Sequence, residues 1–333
     1  MNLPRRRSLL LAAAAGVLLA AAKTVSAQTL AQTLAQAYPA RPVRIIVGFP
    51  AGGQIDIIAR LTAQRLSERL GQQFFVDNRP GAASNIATEA ALRAPPDGYT
   101  LFLANGTNAV NATLFDKLNF DFVRDTAPVA SINRIPIVLA VHPSFPPKSV
   151  GELISYAKAN PGKLNLATPP KGTAPYMAAE LFKASTGTDI VLVAYRGDAP
   201  AVTDVLGGQV PGAFGGISSW VEQIRTGKLR ALAIAGGARL EMLPDIPIIG
   251  ETVPGYEASG WAGIVVPRGT PPEIVDKLSQ EINAALADPT FKARLGDVGV
   301  IAFASSPEDF ARHIADETRK WGQLIRTANI KPE

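Results

Sequence analysis

The chain has 333 residues, 47% of them hydrophobic and 18% charged, with 33 basic residues, 28 acidic residues, two histidines and no cysteine. The missing cysteines exclude disulfides, thiolate catalysis and thiolate metal sites, and His142 and His313, far apart in sequence, exclude a histidine-rich metal site. A chain this long buries a core without covalent staples, and two domains are expected rather than one.

The N-terminus has the pattern of a targeting signal. Arg5-Arg6-Arg7 is a basic n-region, Ser8–Ala22 an apolar h-region and Val25-Ser26-Ala27 a small-residue cleavage site. The h-region is shorter than the roughly 20 apolar residues that span a bilayer. Cleavage after Ala27 and export to the periplasm are expected, through the general secretory route. Arg6-Arg7 before Ser8-Leu9-Leu10 leaves a twin-arginine route as the alternative. The signal carries four basic residues and no acid, so 33 less four leaves 29 basic against 28 acidic residues. That near-neutral balance gives no ground for a nucleic-acid partner. Residues 28–37 hold a Gln-Thr-Leu-Ala repeat and are expected to form a flexible mature N-terminus.

Val43–Val47 is a short β-branched run that predicts a buried strand. Pro50 and Gly52-Gly53 end it, and a helix is expected from about Ile55 to Arg69, with Ile58, Thr62, Leu66 and Leu70 on one stripe. Glycines let backbone approach a ligand, and the following helix aims unpaired N–H groups at the turn, which suits a small anion. The phosphate-loop pattern fails because no lysine follows the last glycine, and the dinucleotide glycine pattern is absent. A carboxylate fits better; a purely structural turn is the other use such glycines have.

A second strand is expected over Gln73–Asp77, a helix over Ile86–Arg93 and a third strand over Thr100–Ala104, closing on the polar turn Asn105-Gly106-Thr107-Asn108. Strands alternating with helices predict a parallel sheet, whose ligands collect at the carboxyl ends of the strands. Ile135–His142 reads as one strand crossing between lobes, and Ser149–Glu152 as a capping box. Leu164–Thr168, the turn through Thr173-Ala174 and a helix from Tyr176 repeat the first unit. Further strands are expected at Ile190–Ala194, Val210–Phe214, Leu229–Ala235 and Ile264–Pro267, and helices at Pro271–Ala287 and from Ser306 to about Ala328.

Val47-Gly48-Phe49-Pro50-Ala51-Gly52-Gly53 with Asp56, Val76-Asp77-Asn78-Arg79-Pro80-Gly81 and Pro96-Asp97-Gly98-Tyr99-Thr100-Leu101 resemble, in order, signatures of the tripartite tricarboxylate transporter receptors, also called Bug proteins. Pro161-Gly162-Lys163-Leu164, Tyr195-Arg196-Gly197, Gly227–Ala233 and Leu243-Pro244-Asp245-Ile246-Pro247 continue the resemblance to the C-terminus. It implies an α/β fold of the type II periplasmic-binding-protein kind, with two lobes, a hinge and an interlobe cleft. Lobe one is expected over 38–141 plus 264–333, and lobe two over 142–263. The hinge strands are expected near Val138–His142 and Gly260–Val265.

The resemblance further implies a small carboxylate ligand: a di- or tricarboxylate, an acidic amino acid or an aromatic acid. Ala51, Gly52 and Gly53 match the carboxylate loop, and Asp56 matches its acid, with a helix-terminal charge as the alternative role. Phe49 is placed as a cleft wall or as core. Asn105, Thr107 and Asn108 match the second loop of lobe one, and Thr173 and Ala174 the turn of lobe two. Tyr195 matches a cleft-lining tyrosine, with core packing as its rival. Gly215 and Gly216 stand where the family often has an acid and an asparagine after Phe214, which is expected to widen the cleft there. Tyr176 adds an aromatic wall or packs outward, and Arg79 is read as structural.

The expected function is delivery of the carboxylate to membrane transporter subunits by a monomer without metal or organic cofactor. A sensor-kinase output is the alternative within the same class. An exported hydrolase is the alternative of another class, because Ser84, Ser131, Ser218 and Ser219 supply hydroxyls; none lies in the nucleophile-elbow pattern.

Overall fold

A computed structural model describes residues 38–332. The signal and the mature N-terminal segment expected over 1–37 lie outside the described residues.

In chain order, the first unit is β1 (Val43–Val47), α1 (Gln54–Leu70), β2 (Phe74–Asn78), α2 (Asn85–Leu92), β3 (Thr100–Asn105), α3 (Gly106–Leu114), the short α4 (Phe122–Asp125) and β4 (Thr126–Ile135). The chain then makes β5 (Ile137–Val141), α5 (Val150–Ala159), β6 (Leu164–Thr168), α6 (Ala174–Thr186), β7 (Ile190–Ala194), α7 (Asp198–Leu206), β8 (Gly212–Gly216), α8 (Ile217–Arg225) and β9 (Arg230–Ile234). It closes with β10 (Gly260–Pro267), α9 (Pro272–Ala287), α10 (Pro289–Asp297), β11 (Ile301–Ala302) and α11 (Pro307–Thr327).

These strands make two sheets. The first has the order β11-β4-β10-β3-β1-β2 and the second β7-β6-β8-β5-β9. β1 runs parallel to β2 and β3, whereas β10 runs antiparallel to β3 and β4. β6 runs parallel to β7 and β8, and β5 antiparallel to β8 and β9. Each sheet is thus a parallel set of βα units with antiparallel strands inserted where the chain crosses over.

The expected crossing strand Ile135–His142 is two strands in different sheets. Ile135 ends β4 opposite Gly260 in the first sheet, and Ile137 begins β5 opposite Gly216 in the second. Pro136 separates them, a residue with no N–H to give a ladder. The expected lobe boundaries shift accordingly: β5 pairs in the second sheet, and Gly260–Gly263 of β10 pair in the first. A β-branched run reports that a strand forms but not which sheet receives it. The helix α3, unforeseen in the sequence, starts directly after β3, because Asn105 caps it. Asn105 Oδ1 accepts from the Thr107 N–H at 2.9 Å, and Asn108 Oδ1 accepts from the Asn105 N–H at 2.9 Å.

The apolar stripes pack as their periodicity predicts. Ile58 and Leu66 of α1 are buried against the first sheet, as are Ile274, Leu278, Ile282 and Leu286 of α9. Each such side chain contributes on the order of 1.5–3 kcal/mol by leaving water. The other face of the first sheet is covered by α3 and α11. Their buried Val110, Leu114, Phe310 and Trp321 belong to one apolar cluster with Met177 and Phe182 of α6, so a continuous core joins the two sheets on that side.

Candidate functional site

Five helices start at one cavity of about 190 Å³ between the sheets. Gln54 and Ile55 open α1, Gly106 and Thr107 open α3, and Thr173, Ala174 and Pro175 open α6. Asp198 is the first residue of α7, and Gly216 is the N-cap of α8. Each comes from the carboxyl end of a strand, which is where the βα architecture places its binding crevice. Each helix start carries roughly half a positive charge in unpaired N–H groups. The rest of the wall is largely apolar: Phe49, Ile135, Ile137, Pro169, Gly260 and Trp261.

Two buried donors in this lining have no partner. Asn105 Nδ2 and Trp261 Nε1 form no hydrogen bond, although the residues are only 4% and 2% exposed. An unsatisfied buried donor costs about 1–3 kcal/mol, a cost that an acceptor placed in the cavity would relieve.

Of the residues expected from sequence, Phe49, Asn105, Thr107, Thr173, Ala174 and Gly216 line the cavity. Ala51, Gly52 and Gly53 form the exposed loop beside it. Gly52 has φ +84°, a conformation that favours glycine, so its role is to shape the turn. Asp56 lies beneath that loop, 1% exposed. Its carboxylate accepts from the Gly52 N–H at 2.9 Å, Arg60 Nε at 2.8 Å and Asn78 Nδ2 at 2.8 Å. Burial pushes this carboxyl up, but the bonds from Arg60, Gly52 and Asn78 outweigh it and hold it below the usual aspartate range. Asn108, in the first turn of α3, is buried, and its Nδ2 donates to Thr88 Oγ1 at 3.0 Å.

Tyr195 does not line the cavity. Its hydroxyl donates to Asp204 at 2.7 Å, and its ring packs on the cluster around α7 and α8. Burial, followed by Asp204, pushes this hydroxyl up to about 12. Gly215 does not widen the cleft either. A Cβ there would lie 2.0 Å from Trp220 Nε1 and 2.6 Å from Asp198 Oδ1, so the space is already filled. Tyr176 packs inward: it is buried, and its hydroxyl donates to Glu180 at 3.0 Å.

Sequence reasoning missed Gln54, Asp198 and Trp261. Gln54 Nε2 donates to Val298 O at 2.9 Å and Ser218 Oγ at 3.4 Å, so it links the first sheet's helices to α8 at the edge of the cavity. Asp198 follows Tyr195-Arg196-Gly197 at a strand end, and that position was its only signal. Trp261 had none, because its place depends on β10 returning from far along the chain.

A larger cavity of about 340 Å³ lies against Trp261, lined by Asn133, Arg134, Phe303, Phe310 and His313 among others. Apart from α11, no helix starts there, and its cations are paired: Arg134 with Glu257 at 3.6 Å and Arg312 with Asp309 at 3.2 Å. The His313 ring lies 5.2 Å from Trp261 and stacks on Phe310. Burial lowers its basicity. The unfolded chain takes that proton near 6.5, whereas the folded protein resists it. Stability is therefore expected to be full above that pH and to fall as the pH drops below it. Denaturant titrations of the protein and of His313→Phe between pH 7.5 and 5 should diverge in that direction; parallel curves would remove the effect.

The profile of the tripartite tricarboxylate transporter family receptor matches residues 58–330. The chain belongs to this receptor family. The protein BugT of Bordetella pertussis is 35% identical over 300 residues, covering 89% of this chain and 92% of that one. A Rhodopseudomonas palustris protein solved with adipate is 36% identical, with a TM-score of 0.76 over 89% of this chain and all of that one. MatC from the same organism, solved with bound malate, is 32% identical with a TM-score of 0.72 over 86% and 100% of the two chains. The periplasmic binding protein BugD is 31% identical with a TM-score of 0.72, over 89% and 100%. The receptor therefore has the two-lobed α/β fold of periplasmic solute-binding proteins.

Proposed function

We propose that the protein is a periplasmic receptor that binds a small carboxylate between its lobes and delivers it to a membrane transporter. The observation that carries this is the convergence of five helix N-termini on one cavity whose lining includes two buried donors without acceptors. Backbone and amide donors, with no lysine or arginine in the lining, suit a carboxylate held by dipoles. The adipate and malate of the neighbouring structures are consistent with that class. The lobes close about the two connections between the sheets, at Pro136 and just before Gly260, driven by contacts the ligand makes better in the closed state. Binding rather than turnover is the role proposed, in keeping with the receptor family and with the solved binding proteins the chain resembles.

Thermal shift of the mature chain against carboxylates and their neutral amides tests this. An acid at about 100 times its dissociation constant should add about 2.7 kcal/mol of stability, and its amide should add little. Equal shifts for acid and amide would sink the reading. Trp261→Phe removes the indole N–H and keeps most of the ring. A hydrogen bond to a charged group is worth about 1.5–3 kcal/mol, so affinity for the bound acid is expected to fall roughly tenfold or more. The melting temperature without ligand should stay level or rise, because an unsatisfied donor has gone. Calorimetric titration of this variant checks the first expectation and a thermal melt the second.

A further inference from the structure

Asp198 stands at two of the five helix starts. It is the first residue of α7, and its Oδ1 accepts from the Gly216 N–H at the start of α8 at 3.2 Å. The same oxygen accepts from Trp220 Nε1 at 2.9 Å, and Trp220 is fully buried, so the carboxyl is fixed in place. Oδ2 has no such bond and lies beside Gly216, where a Cβ would be 3.5 Å away. Both residues line the cavity. Among the described residues, Asp198 is the only one of the lining with a formal charge. The starts of α1, α3 and α6, with Asn105 Nδ2 and Trp261 Nε1, remain for an incoming anion.

The lining is therefore chemically divided. The starts of α1, α3 and α6 offer donors, whereas beside α7 and α8 the Asp198 carboxylate presents an acceptor that already holds the Gly216 N–H and the Trp220 indole N–H. Apolar groups such as Phe49, Ile55 and Ile137 make up much of the remaining wall. A dicarboxylate would bring its far charge against Asp198 with no cation in the lining to offset it. We infer that the cleft selects a monocarboxylate whose far end carries a hydrogen-bond-donating hydroxyl or ammonium group, and that Asp198 is the residue that sets this preference. The inference rests on the carboxylate-receptor reading and narrows it away from dicarboxylates such as adipate.

Matched series test it: adipate, 6-hydroxyhexanoate, 6-aminohexanoate and hexanoate, then terephthalate, 4-hydroxybenzoate, 4-(aminomethyl)benzoate and benzoate, each with the amide that replaces its carboxylate. Dissociation constants are measured calorimetrically on the mature chain and on Asp198→Asn. In the unaltered protein, the hydroxy or amino acid of at least one series should bind at least tenfold tighter than its dicarboxylate. Asp198→Asn should narrow or invert that ratio by about tenfold. A dicarboxylate that binds tightest to the unaltered protein overturns the inference and leaves the carboxylate reading standing. Acids that bind no better than their amides in both series overturn both. The comparison in the unaltered protein does not depend on the variant folding; if Asp198→Asn folds and the ratio is unchanged, Asp198 is not the selector.

Discussion

Asp56→Asn is expected to remove about 2 kcal/mol of stability and to weaken carboxylate binding in the same step. The two carboxylate oxygens serve three donors: Oδ1 accepts from Asn78, and Oδ2 accepts from the Gly52 N–H and from Arg60. An amide has one acceptor oxygen, so either orientation sets an NH2 group against a donor. Arg60 is half exposed and finds water, and Asn78 Nδ2 also donates to Phe49 O at 3.0 Å. The net loss is therefore nearer one charge-assisted bond, worth about 1.5–3 kcal/mol, than three. The loop Phe49–Gly53 would lose the anchor of its Gly52 amide, and Phe49 and Gln54 flank that loop in the cavity wall. Urea denaturation at pH 7 checks the magnitude, and a difference below about 0.5 kcal/mol, the size of an ordinary surface change, would refute the anchoring role. The pH gives a second check. The folded carboxyl is held below its ordinary range, so its stabilisation is complete above that range and is lost as the pH falls through the folded value. The protein and the variant should therefore converge in acid.

Gly215→Asp is expected to destabilise by about 3 kcal/mol or more. Gly215 lies in β8 opposite Val138, in the interior of the second sheet. A Cβ there would meet Trp220 Nε1 at 2.0 Å, Trp220 Cε2 at 2.5 Å and Asp198 Oδ1 at 2.6 Å. Overpacking alone costs about 1–3 kcal/mol. The new carboxylate would also stand against the Asp198 carboxyl in a buried setting, where burial already pushes that group up against the pull of Trp220 and Gly216. Asp198 and Trp220 thus occupy the volume of the missing side chain, and the substitutions should be coupled. Gly215→Asp combined with Asp198→Gly and Trp220→Leu is expected to lose less than the sum of the separate changes, by at least about 1 kcal/mol. Additive losses in denaturant titrations would mean that the three positions do not share one space.

Local patterns made much of the fold readable. The β-branched run at Val43–Val47, the stripe of α1, the Ser149 cap, whose Oγ accepts from the Glu152 N–H at 3.2 Å, and the stripe of α9 are all set by near neighbours in sequence. Pairing across the chain was not readable in the same way. Nothing in Ile135-Pro136-Ile137 states that its two isoleucines belong to different sheets, although the proline marks the break. The site was readable in kind and shifted in detail. Glycine turns at strand ends pointed to the crevice, but Gly52 shapes the backbone while its neighbour Gln54 lines the cavity. Asn105 was found because the polar turn that closes β3 lies at a strand end and matched the receptors' second loop, although the cap it forms on α3 was not foreseen. Asp198 and Trp261 were missed because their roles arise only when α7 and β10 meet the rest of the wall.

Ile135 and Ile137, on either side of Pro136, and Gly260, where the chain returns to the first sheet, all line the cavity. In the closure proposed above, a bound molecule would therefore rest on the pivot itself. Points near a pivot sweep short arcs, so contacts to these residues keep nearly the same lengths whether the lobes stand apart or together. They add to affinity in both states and give no torque. The torque must come from groups with the longest radius, those at the tips of helices on opposite lobes. A ligand trimmed at its middle should then bind more weakly yet close the protein as fully, whereas one trimmed at an end should lose closure first.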